Sequence, residues 1–479
     1  MNIPMHYPFL SFLMILSLAI ACAVFSIYPI TIVFLLIVIT SIFMVKWILS
    51  KPDRFIYVLF LYIVFQNFFA IILAKYAGGN FTQIFILLKD ILTYLALLIA
   101  VIVNFKKQKA IWPDVFAVLY LIVLCFYLFP YDDTSFFTKL VQFRQLLTPI
   151  ILYLLGRFMM VGINRTNKFL KFLIYISMLA TLFGFLERYI LGDTFWINLG
   201  IKEYLSSKGM DTWAYGLGGV PGNFYSYDFY SIIGISLRRM VSFVADPTLF
   251  GQFLVLPIAV LMFTKIFKGK KRTIFLVTLI LGLILTLSKG GIFSLGIAMV
   301  YKIFRTKFKI LGYLILTIFL MFTFIILTNA SMFSSLPAHL NGLIHNFQLT
   351  INNPFGLGLG KAGNFAILYS DSKNEELGSG ESYIGMIIGQ IGIFSILFVI
   401  FLITAINFYR KKTTESQWMN DLSTVLTAVL LGTISSSMIS ESAISFISSG
   451  ILFFMVGLAV KNKKEPQSEN NILPENYLD

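Results

Sequence analysis

Apolar stretches long enough to cross about 30 Å of hydrocarbon recur from one end of the chain to the other. The pattern places spans near 9–25, 29–46, 55–75, 83–104, 112–129, 146–161, 168–190, 248–267, 273–287, 290–304, 310–328, 383–408, 421–438 and 443–460. Two long polar interruptions, 191–247 and 329–382, separate groups of spans. This predicts an all-α polytopic membrane protein of about 14 transmembrane helices. The run Phe9–Phe25 lacks a basic start and a small-residue cleavage site, so it reads as a retained first span. Residues 1–464 form one transmembrane domain, and 465–479 read as a disordered cytoplasmic tail. No repeated half of the kind seen in many transporters is visible.

Charge fixes an orientation. With the amino terminus inside, Lys46/Lys51/Arg54, Lys106/Lys107/Lys109, Arg165/Lys168/Lys171 and Lys265/Lys268/Lys270/Lys271/Arg272 all fall inside. So do Lys302/Arg305/Lys307/Lys309, Arg410/Lys411/Lys412 and Lys461/Lys463/Lys464. Such agreement predicts both termini in the cytoplasm and both long segments on the outer face. The stretch 273–304 must then be a hairpin, because both flanks are basic. Each arm has about 15 residues, roughly 22 Å of helix, so the tip Ser288-Lys289-Gly290-Gly291 should be sunk below the outer surface.

Composition narrows the class. The chain is 58% hydrophobic and only 12% charged, which fits membrane protein and not a soluble domain. The net charge of +15 lies in clusters between spans, which argues against nucleic acid as a partner. Cys22 and Cys125 sit in apolar runs, giving neither a disulfide framework nor a metal site.

The candidate chemistry lies in the outer segments. The first holds Trp196, Tyr204, Trp213, Tyr215, Phe224, Tyr225, Tyr227, Phe229 and Tyr230, rings that suit sugar stacking or an interfacial belt. It ends with Arg238-Arg239 and Asp246-Pro247. Arginines outside run against the orientation bias, and a guanidinium grips phosphate oxygens in a fork, with Arg239 ahead of Arg238. Lys289, in the sunken turn, needs an anion or a wet cavity.

In the second segment, Leu336–Ile351 reads as a helix lying in the interface, with His339 and His345 on different sides. The two cannot share a metal from this helix. Gly356, Gly358, Gly360 and Gly363 surround Lys361, a turn that either cradles phosphate with backbone N–H groups or re-enters the membrane. Glu381 starts the next span, and Glu441 sits at the tip of the last hairpin. Partial burial would raise either carboxyl towards a general base. Asp132-Asp133 is a further acidic pair, and Arg144 a further candidate cation. Lys89-Asp90 lies inside a span, where adjacent residues do not face each other, and has no role assigned.

In this order the features are recognisable. Residues 170–460 resemble the bacterial O-antigen polymerase and O-antigen ligase superfamily, the Wzy-like repeat-unit polymerases. The resemblance rests on Arg239 through Gly251, Leu287-Ser288-Lys289-Gly290-Gly291, Asn353-Pro354-Phe355-Gly356-Leu357-Gly358-Leu359-Gly360, and Glu381-Ser382-Tyr383 followed by Gly389-Gln390-Ile391-Gly392. The family's turn often reads Ser-Arg-Gly, where this chain has Lys289. The family often has His-Asn where Glu381-Ser382 stands. Ligases depend on a His in the large outer loop, and the departures here favour a polymerase.

The resemblance implies action on undecaprenyl-pyrophosphate-linked glycans, as donor and acceptor, at the outer face of the cytoplasmic (inner) membrane, with no metal or other cofactor. Arg239, Arg238, Lys289 and Lys361 would hold pyrophosphate, and Glu381 or His339 would take the acceptor proton. Asp246, Glu441 and Arg144 are secondary candidates. Membrane lipid, a chain-length regulator and a flippase are the implied partners. A lipid-linked oligosaccharide flippase and a non-catalytic assembly scaffold are the readings from other classes.

Overall fold

The computed structural model describes residues 52–129, 134–159, 163–209, 216–227, 230, 234–305, 336–364, 381–410 and 417–462. The expected spans at 9–25, 29–46 and 310–328, the tail after 464, the Asp132-Asp133 pair and the rings Trp213, Tyr215 and Phe229 lie outside them.

The described chain is mostly helical. In order it runs α1 (Pro52–Ala77), α2 (Gly79–Asn104), α3 (Trp112–Phe126), α4 (Phe136–Phe158) and α5 (Ile163–Leu186). A π-turn (Glu187–Leu191) leads into α6 (Gly192–Leu199) and α7 (Ile201–Ser206). Strands β1 (Tyr225–Ser226) and β2 (Leu237–Arg238) form a small antiparallel ladder, the one β element among the described residues of an otherwise helical architecture. Then follow α8 (Pro247–Phe263), α9 (Gly269–Leu285), α10 (Lys289–Phe304), α11 (Leu336–Asn352), α12 (Tyr383–Ile391), α13 (Ile396–Arg410), α14 (Gln417–Ser437) and α15 (Gly450–Asn462). By length and composition, Arg54–Ala77, Gly79–Asn104, Arg165–Leu199 and Tyr383–Phe408 could each cross a membrane.

Helix α8 is the centre of the carboxy-terminal half. It is apolar on every side and buried from Phe250 through Leu261, which is the pattern of a core helix. Asp246 caps it, accepting from the N–H groups of Thr248 and Leu249. Helices α9, α10 and α14 pack around it. The expected hairpin at 273–304 is present as α9 and α10. Helix α9 packs mainly on α8, α10 mainly on α14 and then on α8, and the two arms pack much less on each other. They have 17 and 16 residues, roughly 25 Å of helix each, shorter than the hydrocarbon thickness.

Close helix crossings use glycine. A Cβ on Gly156 of α4 would overlap the Phe454 carbonyl of α15, and one on Gly457 would overlap the Tyr153 carbonyl. Such backbone approach is how helices gain dispersion contact where lipid removes the hydrophobic drive.

Three sequence expectations change here. Helix α4 begins at Phe136, not near 146, with Ser135 as its cap. Its first turns carry Lys139, Gln142, Arg144 and Gln145, which read as loop, but Lys139 and Gln142 are buried inside the bundle. Second, Trp196, Tyr204 and Phe224 are neither a belt nor a sugar platform. They are core, packed on Ala70, Ile71 and Ala74 of α1. Of the described rings of this segment, Tyr227 and Tyr230 are exposed.

Third, 383–408 is not one straight span. The rings of Tyr383 and Phe398 lie 6.2 Å apart. Fifteen residues of continuous helix would separate them by about 22 Å. The chain therefore turns sharply at Gly392, and α12 does not continue the axis of α13. Gly392 (φ 57°) and Gly356 (φ 77°) make this turn possible. A Cβ on Gly392 would overlap the Pro354 carbonyl, and one on Gly356 the end of α12. The Gly-rich loop bonds to this turn through Leu357 N–H to Gly389 O (2.8 Å), Gly358 N–H to Gln390 O (3.0 Å) and Ile393 N–H to Pro354 O (2.9 Å). Helix α11 runs parallel to α12, with Gly342 beside Gly385 and Asn346 beside Gly389. Its packed face is thus Gly342, Asn346 and Leu349, while Ile344, Phe347 and Ile351 are exposed.

Candidate functional site

The turn Thr286-Leu287-Ser288 between α9 and α10 gathers the first group. Leu287 sits at φ 48° without being glycine, and Ser242 and Ala245, just after Arg239 in the chain, are at φ 53° and 52°. These are the described non-glycine residues in the left-handed region. Strain of about 1–3 kcal/mol at each persists only where surrounding contacts hold it. Around Leu287 the contacts are guanidinium groups. Arg239 donates from Nε to the Thr286 carbonyl (2.8 Å) and from one terminal nitrogen to Leu287 O (3.3 Å). Its other terminal nitrogen reaches Asn223 O (3.3 Å). Arg188 donates to Leu285 O (2.8 Å). Cations on the carbonyls that end α9 also complement that helix dipole.

Arg238 is different. Its Nε meets Asp193 Oδ1 at 2.7 Å, and its guanidinium meets Glu187 Oε2 at 3.2 Å. Its remaining terminal nitrogen donates to Arg239 O at 2.6 Å. Glu187 is buried and also accepts from Trp196 Nε1 and the N–H groups of Val241 and Ser242. Arg238 is therefore a brace between the π-turn and the β-ladder, and the expected pyrophosphate contact from it does not fit. Asp246 is likewise a helix cap that also accepts from Asn223 Nδ2 (2.9 Å).

A chain of contacts leads from this turn to the carboxylates. Ser288 caps α10, accepting from Gly291 N–H, and donates to Thr248 O on α8. Gln252 of α8 donates to Ser436 Oγ of α14 (2.5 Å). A Cβ on Gly290 would press on both side chains, so that glycine admits the contact. Ser382 caps α12 and bonds to Ser437 O (3.4 Å). The N-termini of α8, α10 and α12 are thus tied together, and helix N-termini favour anions.

Beside them lies Glu441, buried in the turn after α14. Its Oε1 accepts from Gln145 Nε2 of α4 (2.9 Å) and its Oε2 from Asn364 N–H (3.0 Å). Burial pushes this carboxyl up, those two hydrogen bonds pull it down, and the neighbouring Glu381 charge raises it further. Glu381 is half-buried next to the α12 cap. Around this pair the hydroxyls of Tyr383 and Tyr120 and the Nε2 of Gln142 are buried with no hydrogen-bond partner among the described residues. Polar atoms left so at the centre of a bundle mark room for a polar guest or water.

His339 lies on α11 one turn before Gly342, and the α11–α12 register sets its backbone level with Ser382. His345 is half-buried further along. Lys361 is half-buried, but the loop around it is no open phosphate cradle. Its N–H groups at Leu357, Gly358, Gly360, Lys361 and Asn364 are engaged by carbonyls, Gln390 and Glu441. Lys289 is exposed at the start of α10, two residues beyond the Arg239 contact.

Arg144 lies one position from Gln145, paired with Asp90 at 3.4 Å. Sequence reasoning missed Glu187, Arg188 and Gln145. Glu187 carried a signal, a carboxylate at the end of a long apolar run. Gln145 carried none. Among the described residues no group of three or more His, Cys, Asp or Glu could hold a metal ion. In comparisons with known proteins, no family model matches the chain, and no curated protein matches it.

Proposed function

We propose that this chain polymerises undecaprenyl-pyrophosphate-linked oligosaccharide repeat units into a surface polysaccharide. One observation carries the reading. The segments on which the resemblance rests, far apart in sequence, meet in space through Arg239–Thr286, Ser288–Thr248 and the Gly-rich loop on α12. The basic clusters put this end of about 14 spans on the outer face of the cytoplasmic membrane, with both termini inside. Helix α13 then serves as the inward crossing of the 383–408 stretch and α12 as a re-entrant arm. Such broken backbone at membrane depth is tolerated where protein or water surrounds it.

In the reaction, an acceptor sugar hydroxyl attacks the anomeric carbon of the donor glycan. Its proton passes to one carboxylate of the Glu381–Glu441 pair, or to His339. The bond between that carbon and the pyrophosphate oxygen breaks, and the electron pair leaves on the lipid pyrophosphate. Arg239, the clustered helix N-termini and Lys289 stabilise the charge that develops there. Burial, and after it the neighbouring Glu381 charge, raise the Glu441 carboxyl, which favours its taking up a proton.

A transporter of the same lipid-linked glycans is the second reading, favoured by the short half-helix α12, since transporters bind substrates at broken helices. Purified protein in vesicles with lipid-linked repeat units separates the two. A ladder of longer glycans supports polymerisation. Movement across the bilayer without lengthening supports transport, and transfer onto a lipid core oligosaccharide supports a ligase.

A further inference from the structure

Helix α5 does not end in a plain α-turn. Glu187–Leu191 is a π-turn, whose wider winding shifts the faces that follow. Such turns are frequent at functional sites. Here the turn sends two neighbours to different places. Glu187 is fully buried and is taken up by Arg238, Trp196 and the N–H groups of Val241 and Ser242. Arg188 is half-buried and reaches the end of α9, donating from one terminal nitrogen to Leu285 O (2.8 Å).

That carbonyl already accepts the Met240 N–H at 2.9 Å, so it is satisfied without Arg188. The contact therefore does more for Arg188 than for the backbone, because it holds a guanidinium in place. The next two carbonyls, of Thr286 and Leu287, hold Arg239. Two guanidinium groups from distant segments thus rest on three successive carbonyls. Consecutive residues are about 3.8 Å apart and each contact adds about 3 Å, so the bound nitrogens lie within roughly 10 Å of each other. Among the described residues Arg188 spends one nitrogen on this contact, and its charged plane lies by the Tyr189 ring at 5.3 Å. Packing on a ring leaves the edge donors of a guanidinium usable. The carboxylates on either side in the chain, Glu187 and Asp193, both pair with Arg238 instead. The end of α9 carries only about half a negative charge, shared between two full cations. An anion between them relieves that imbalance.

We propose that Arg188 is the second fork of the donor site: Arg239 grips one phosphoryl group of the lipid pyrophosphate and Arg188 the other. This inference rests on the polymerase reading. With Arg165, Lys168 and Lys171 inside at the start of α5, Arg188 at its far end falls on the outer side, level with a lipid head group. The pair gives the site a preference for a diphosphate ester over a monophosphate ester, because two forks side by side bond oxygens on two phosphorus atoms. The left-handed Leu287 fixes the carbonyls on which both forks rest.

The test is native mass spectrometry of the full chain in phosphatidylcholine nanodiscs, with geranylgeranyl pyrophosphate and geranylgeranyl monophosphate as the two probes. The wild type is expected to bind the pyrophosphate about tenfold or more the tighter, the worth of a charge-assisted hydrogen bond. Arg188→Gln should lose that preference and keep its affinity for the monophosphate. Arg188→Lys keeps charge without the fork, so it should lose the preference in part, and it decides the matter if Arg188→Gln does not fold. A purely structural Arg188 would instead weaken both lipids equally and lower the unfolding temperature. That result, or the wild-type preference retained by both variants, overturns the inference. Equal affinity of the wild type for the two lipids overturns it as well and leaves the polymerase reading to the glycan ladder. No binding of either lipid to the wild type removes the donor site and the polymerase reading with it.

Discussion

At the scale of residues, adjacent arginines have opposite situations. Arg238 faces two carboxylates, and Arg239 holds the strained turn through carbonyls. Arg239→Lys keeps charge but loses the fork. It is expected to lower glycan-ladder formation by about 10²–10³ while the protein still folds, in line with losing one strong transition-state contact. Glu187→Ala is expected to act on stability instead. It leaves Arg238 facing an emptied partner site, at a cost of about 3–5 kcal/mol for a broken buried pair. Thermal unfolding in detergent measures that loss. Glu441 yields a pH prediction. Its folded carboxyl is raised above the ordinary value, so between the two values the native state holds a proton that the unfolded state has released. Stability from this group therefore falls as pH rises across that window, and activity that needs the carboxylate base rises. Glu441→Gln should flatten both profiles. Unchanged profiles would move the base to Glu381 or His339, which the Glu381→Gln, His339→Ala double variant then tests by the loss of chain growth.

At the scale of elements, the sharp turn between α12 and α13 decides where Glu381 sits. A straight rod from 383 to 408 would leave Glu381 at one end of a membrane crossing. The turn at Gly392 instead brings the Tyr383 ring to Phe398 and sets the capped N-terminus of α12 beside α14. Gly392→Ala puts a Cβ against the Pro354 carbonyl at a left-handed φ. It is expected to cost about 1–3 kcal/mol and to release the Gly-rich loop. Faster hydrogen exchange at Leu357 and Gly358 would show the release, and unaltered protection there would contradict the hold of this turn on the loop. This turn was not legible in the sequence, because Ile-Gly-Gln-Ile-Gly-Ile is as apolar as the spans on either side. The α9–α10 hairpin was legible, because basic clusters bracket it and 273–304, roughly 48 Å of helix, is too long for one straight crossing and too short for two full ones.

At the scale of the whole molecule, orientation is the prediction. Cysteine at Ser207 should label from outside, and cysteine at Thr414 should not. Labelling of Thr414 alone from outside would invert the scheme. The apolar periodicity and basic clusters determined by themselves that this is a helical chain with stretches able to cross a membrane. They also placed the short hairpin and pointed to Arg239, Glu381 and Glu441. Those signals are local, since lipid contact and loop charge are read residue by residue along the chain. Tertiary structure decided which arginine is a brace, that α4 starts inside what reads as loop, and that the 383–408 stretch turns sharply. It also brought Glu441 to Gln145 and Arg144 to Asp90. Each of these depends on partners tens to hundreds of residues away, and whether a polar group is loop or buried site is set by the groups that close around it, not by its neighbours in the chain.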